Sequence, residues 1–297
     1  MATKKTATTK AVTKKQTAAL ANVPDYGGDA GTGTEGFDED RVLRFIKLLQ
    51  TQSPEVLEGG DGYVEGARPG MFYNPASGDL YDKLHVNLFA RDRHFNEWIK
   101  LDEGGGFVQR LEVNDPRVAQ IMSEAKQQVG RIPVFDEPTH ELVESVRLGV
   151  VICDPEKDWE PVDDGVFVIE RTKFPPYKAL VDSLMKARAG DGTKIWGRAP
   201  VWAYRIEIGS ELESKPKIGS PYYKITMTPA IEGDVTKSLL PVDHPLYLAA
   251  KQMLEQMSAG AVRMATAEEE GREAVEDAEF EVVNDGSGSG KKGQLPF

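Results

Sequence analysis

Apolar and polar positions divide the chain into a β-rich body interrupted by three helical stretches. Leu84, Val86 and Leu88 alternate with His85 and Asn87, the period-two pattern of a strand. Upstream, Gly70-Met71-Phe72-Tyr73 enters the turn-rich run Asn74-Pro75-Ala76-Ser77-Gly78-Asp79. Residues 70–99 therefore read as antiparallel hairpins, with Arg91-Asp92-Arg93 turning the chain into His94–Ile99. Arg41–Leu49 is too short for periodicity to choose between strand and helix, and Ser53-Pro54 ends it.

Residues 140–153 and 165–172 read as strands. Val166 to Ile169 are apolar on both faces, which predicts a central position. Trp202, Tyr204, Ile206 and Ile208 share one face of a further strand, and Tyr223, Ile225 and Met227 share one face of the next. Asp115 and Pro116 suit the N-cap and first turn of a helix over 116–128. Pro175-Pro176 leads a second helix over 176–189, with Leu180, Leu184 and Met185 at helical spacing. A third, over 244–263, carries Leu246, Ala250, Leu254 and Met257 on one stripe. This order is not the regular β-α-β of a doubly wound fold. It predicts an α+β domain: a mainly antiparallel β-sheet or an OB-like, partly closed barrel with about three helices.

Charge changes the picture at both ends. Residues 1–37 are Lys- and Thr-rich, then acidic and Gly-rich, with too little apolar surface to offset the entropy of ordering. Residues 266–297 form a second such tail. Nine acidic residues stand against the single Arg272 over 266–285; a Gly-Ser linker and Leu295-Pro296-Phe297 follow. One folded domain, 38–265, is expected between them. The formal net charge of −12 argues against a simple nucleic-acid binder, but the charge is unevenly spread along the chain. No stretch approaches the ~20 apolar residues of a membrane span. The N-terminus has no apolar signal region, so a cytoplasmic protein is expected.

Candidate chemistry is sparse. Cys153 is the only cysteine, sits beside Val150-Val151-Ile152, and reads as a buried strand thiol. His85, His94, His140 and His244 fall in no metal-ligand pattern, although His85 and His94 can approach each other across a hairpin. Gly104-Gly105-Gly106 lacks the Lys-Ser/Thr ending of a phosphate loop. Asp154, Glu156, Asp158, Glu160, Asp163 and Asp164 read as a solvated hairpin loop, and a metal-dependent nuclease built on Asp154 and Glu156 is the weakest reading. No enzyme activity, metal or cofactor is expected.

Two groups interleave aromatic and basic residues. Tyr73, Arg91, Arg93, Phe95, Trp98 and Lys100 form the first; Lys194, Trp196, Arg198, Trp202 and Tyr204 form the second. Single-strand binders need this pairing, because aromatic faces stack bases while cations neutralise phosphates. The competing reading is that strand aromatics are core.

Lys47-Leu48-Leu49-Gln50 with Ser53-Pro54-Glu55-Val56, Pro69-Gly70-Met71-Phe72-Tyr73-Asn74 with Ser77-Gly78, and Glu97-Trp98-Ile99 with Gly104-Gly105-Gly106-Phe107 together carry a resemblance. Over 40–230 the chain resembles tailed-phage proteins encoded near replication and recombination genes. Separately, the acidic arm ending in Leu295-Pro296-Phe297 resembles the C-terminal tip of bacterial single-stranded-DNA-binding proteins, which docks replication partners. It departs from that pattern in placing Lys291 and Lys292 before the tip. The resemblances imply a non-catalytic, single-stranded-DNA-binding accessory protein of phage replication or recombination. Leu295, Pro296 and Phe297 would recruit its protein partners, and a homo-oligomer is compatible with this. The alternative is a phage structural or scaffold-type interaction module without nucleic acid.

Overall fold

One long strand sets the architecture. A computed structural model describes residues 41–100, 103–125, 139–214 and 221–266. The chain forms β1 (Arg41–Leu43), β2 (Lys47–Leu48), β3 (Phe72–Asn74), β4 (Asp79–Tyr81), β5 (Leu84–Ile99) and β6 (Phe107–Glu112). Then follow α1 (Pro116–Ala125), β7 (His140–Asp154), β8 (Glu160–Glu170) and α2 (Phe174–Lys186). Last come β9 (Arg205–Glu213), β10 (Tyr222–Pro229), α3 (Pro245–Ser258) and β11 (Val262–Met264). The main sheet has the order β10-β9-β5-β7-β8, all antiparallel, and β6 pairs the far half of β5. The fold is α+β with a mainly antiparallel sheet. The barrel alternative is not realised: β8 and β10 end the sheet at opposite sides and are not paired with each other.

Two layers cover the sheet. Leu84, Val86, Leu88, Val146, Leu148, Phe167 and Ile169 face α2, which contributes Tyr177, Leu180 and Leu184. Phe89, Val151, Val166 and Val168 face the other way, toward Leu246, Ala250 and Met253 of α3 and Leu43, Val262 and Met264 of the β1–β11 pair. The far end of the α2 face is closed by α1, whose Val118 and Ile121 pack on Phe95, Leu111 and Leu142.

The expected turn at Arg91-Asp92-Arg93 does not exist. β5 runs straight through it for 16 residues, so His85 and His94 lie on one strand rather than across a hairpin. The sequence signal that misleads is a bulge. Leu88 pairs Val150 and Ala90 pairs Gly149, leaving Phe89 as the extra residue. The bulge exchanges the faces: before it even-numbered residues face α2, and after it odd-numbered residues do. Gly149 makes this possible, because a Cβ there would meet the Phe89 ring at 2.6 Å.

Other expectations are corrected in detail. Arg41–Leu49 is two short strands that belong to different sheets. β8 is a sheet end, not a central strand. It is apolar on both faces because both layers cover it, and Ile46 N and Arg44 O bond across its outer edge to Val166 at 2.8 and 2.9 Å. The last helix stops at Ser258. Gly260 turns with φ +81°, and β11 then pairs parallel with β1. The predicted tails fall outside the described residues, apart from Thr266. Among the described residues, no helix is long and apolar enough to cross a membrane.

Candidate nucleic-acid interface

Three of the expected contact residues come together on the surface behind α2. The turn following the helix is tightly bonded: Ala189 N donates to Thr193 O at 2.8 Å, Thr193 N to Asp191 Oδ1 at 2.9 Å, and Ile195 N to Ala187 O at 3.2 Å. Ile195 anchors it in the core. The next residue, Trp196, is held outward at 41 % exposure, and Lys194 and Arg198 flank it, both exposed. Neither cation has an ion-pair partner among the described residues. Arg188 and Lys194 are bridge partners across the turn. Like charges placed directly opposite each other are unfavourable unless an anion lies between them.

The cationic character extends along the helix. From Arg171 to Arg198 there are seven basic residues and two acidic ones, in a chain of net charge −12. Lys178 and Lys186 are exposed on α2; Lys186 pairs with Asp182 at 3.5 Å, an exposed contact worth little. At the start of α2, the Tyr177 hydroxyl accepts from Arg91 Nε at 2.9 Å, which brings one member of the first group to the same band. The sequence reading passed over Lys178, Lys186 and Arg188. The local excess of basic residues was the signal that could have found them.

The remaining expected contacts are placed otherwise. Phe95 is 2 % exposed and Tyr204 1 %, each inside an apolar cluster, so no base can reach either ring. Trp202 packs against Tyr247 of α3, with ring centroids 6.4 Å apart. Arg93 is bound to Glu144 at 2.7 Å and lies over the Phe95 ring. Tyr73 is half-buried in the small β2-β3-β4 sheet, and Lys100 is half-buried at the end of β5. Leu295, Pro296 and Phe297 lie outside the described residues.

Trp98 occupies a second, separate place. It is 7 % exposed, edge-on to Phe107 at 5.3 Å, on the face opposite α2. There it helps line a cavity of about 90 Å³ with His94, Asn96, Arg110, Ser145, Arg147 and Glu170 among its walls. Asp92 organises the polar side of this region. It accepts from Arg147 Nε at 2.9 Å and from Arg110 Nη2 at 3.0 Å, and its Oδ2 lies 3.6 Å from His94 Nδ1. The His94 imidazole, then the Arg147 and Arg110 guanidiniums, hold the Asp92 carboxyl well below the usual carboxylate range, against the opposing effect of burial. Arg147 Nη1 donates to Ala265 O at 2.7 Å, tying the end of the β11 layer to the sheet.

Asp163 and Asp164 lie on β8, paired with Ile152 and Val151, rather than in the solvated hairpin loop expected from the sequence, and both are spent on structure. Asp163 Oδ2 accepts from Asn74 Nδ2 and Ser77 Oγ, both at 2.7 Å, and from Tyr81 OH at 3.1 Å. Asp164 pairs Arg41 at 2.5 Å. Among the described residues, no group of three or more His, Cys, Asp or Glu is arranged to hold a metal ion.

Residues 13–263 match the family described as Pam3 phage gp34-like protein, and the chain belongs to it. No curated protein matches the chain.

Proposed function

We propose that this chain is a non-catalytic single-stranded-DNA-binding accessory protein of phage DNA replication or recombination. The observation that carries the reading is the turn after α2, where exposed Trp196 stands between Lys194 and Arg198, neither of them ion-paired among the described residues. Stacking on such a ring contributes about 1–3 kcal/mol per base, and the surrounding cations supply the salt-sensitive part of the affinity. Lys178, Lys186, Arg188 and Arg91 extend the phosphate track along the helix. The Lys-rich N-terminal segment adds non-specific attraction, and the acidic C-terminal segment competes with DNA for the band. Leu295, Pro296 and Phe297 recruit a replication or recombination protein.

The test is titration of labelled oligo-dT with the full chain at about 50 and about 300 mM salt. Trp196→Ala is expected to weaken binding about tenfold or more. Replacing Lys186, Arg188, Lys194 and Arg198 by Ala should flatten the salt dependence by about 0.7 in log–log slope for each lost phosphate contact. A chain indifferent to oligo-dT at both salts, and large by light scattering, would overturn this reading in favour of a structural module.

A further inference from the structure

The cavity beside Trp98 has a polar lining that is not fully used. Ser145 is 1 % exposed, and its hydroxyl has no hydrogen-bond partner; Arg110 Nε is also buried without one. Unmet buried donors are costly, so an occupant that accepts hydrogen bonds is favoured there.

The chemistry of that occupant can be narrowed. Arg110 and Arg147 are balanced by Asp92 and Glu170, so the site has no net pull on a bare anion. The Ser145 hydroxyl and Arg110 Nε–H offer donors. Glu170, 6 % exposed and accepting from Asn96 Nδ2 at 3.2 Å, offers an acceptor. A complementary ligand is neutral and carries two acceptors and one donor. The pairing edges of thymine and cytosine have that count. Guanine has more donors than acceptors, and adenine has one of each. Trp98 and Phe107 give the apolar wall a flat ring requires. The volume of about 90 Å³ is below the roughly 150 Å³ that encloses a benzene, so only the edge of a ring enters.

We propose that this cavity receives the pairing edge of one unpaired pyrimidine of a bound strand, read by Ser145, Arg110 and Glu170. This rests on the single-strand reading above, because only an unpaired base presents that edge. The cavity opens on the face opposite α2, so a strand filling both places rounds the edge of the sheet.

The experiment is ligand-observed NMR on the full chain with thymidine, deoxycytidine, deoxyadenosine and inorganic phosphate. Both pyrimidine nucleosides should bind saturably at millimolar concentration, and deoxyadenosine about tenfold more weakly. Ser145→Ala, which removes one hydroxyl and little volume, should weaken the pyrimidines about two- to tenfold and leave the salt slope for oligo-dT unchanged. Trp196→Ala should leave nucleoside binding unaltered. Equal binding of deoxyadenosine, preference for phosphate, or no saturation up to about 20 mM overturns the inference. Oligo-dT binding without nucleoside binding removes only the pocket, whereas nucleoside binding without oligo-dT binding removes only the strand-binding band.

Discussion

Asp92 shows how much one side chain can hold. Two guanidiniums converge on it, and Arg147, 8 % exposed, has Asp92 as its ion-pair partner. Asp92→Asn leaves buried Arg147 without its ion-pair partner and Arg110 with Glu112 alone, and should lower stability by about 3 kcal/mol at pH 7, read by chemical denaturation. The pH dependence has a defined sign. The folded-state pKa is depressed, so the contribution is complete above the unfolded value near about 3.9 and is lost as pH falls below it. Wild type should therefore lose stability between about pH 5 and pH 2 more steeply than Asp92→Asn. Nothing in the sequence revealed this role, because Arg91-Asp92-Arg93 looks like a solvated turn. Cys153 was legible. Its apolar neighbours predict a buried strand thiol, and it is 4 % exposed, donates to His85 O at 3.1 Å, and is pushed up to about 12 by burial.

At the scale of elements, period and capping were legible where one rule acted alone. The helix opened by Asp115-Pro116 forms, with Asp115 Oδ1 accepting from Arg117 N at 2.9 Å. The strands at 140–153 and around Ile206 and Ile225 also form. The pattern misled at the bulge, since a one-residue insertion inverts every later side chain and local sequence does not announce it. That inversion is why Phe95 was read as a surface aromatic. The bulge depends on Gly149. Gly149→Ala drives a methyl into the Phe89 ring, at a contact the packed second core cannot widen. A loss of about 2 kcal/mol is expected in urea denaturation. Of the second aromatic–basic group, Lys194, Trp196 and Arg198 share one exposed turn, whereas Trp202 and Tyr204 pack inward. Both lie just beyond Pro200, where the chain re-enters the core through a single 3₁₀ turn, Val201–Ala203.

For the whole molecule, the segment that follows α3 matters more than its composition suggests. Val262, Met264 and Ala265 are 2 %, 8 % and 0 % exposed, and Ala265 N donates to Leu43 O at 2.9 Å. A chain ending after Thr266 should keep its melting temperature within a few degrees. One ending after Ala261 should lose about 4 kcal/mol, because the apolar side chains of β11 leave the second core. Differential scanning fluorimetry separates the two. The expectation of a helix running on to residue 263 hid this, since a strand of three residues is too short to show its own period. Long-range parallel pairing with Arg41–Leu43 leaves no local mark.

That parallel pair also decides how the molecule bears load. A pull on the chain from before Arg41 and from beyond Met264 draws β1 and β11 in opposite directions along their shared axis. The ladder is then sheared, with Arg41–Val262, Val42–Arg263 and Leu43–Met264 resisting together, rather than opened one bond at a time. Tension applied at those two points is therefore carried by the three-residue β1–β11 ladder before it reaches the main sheet.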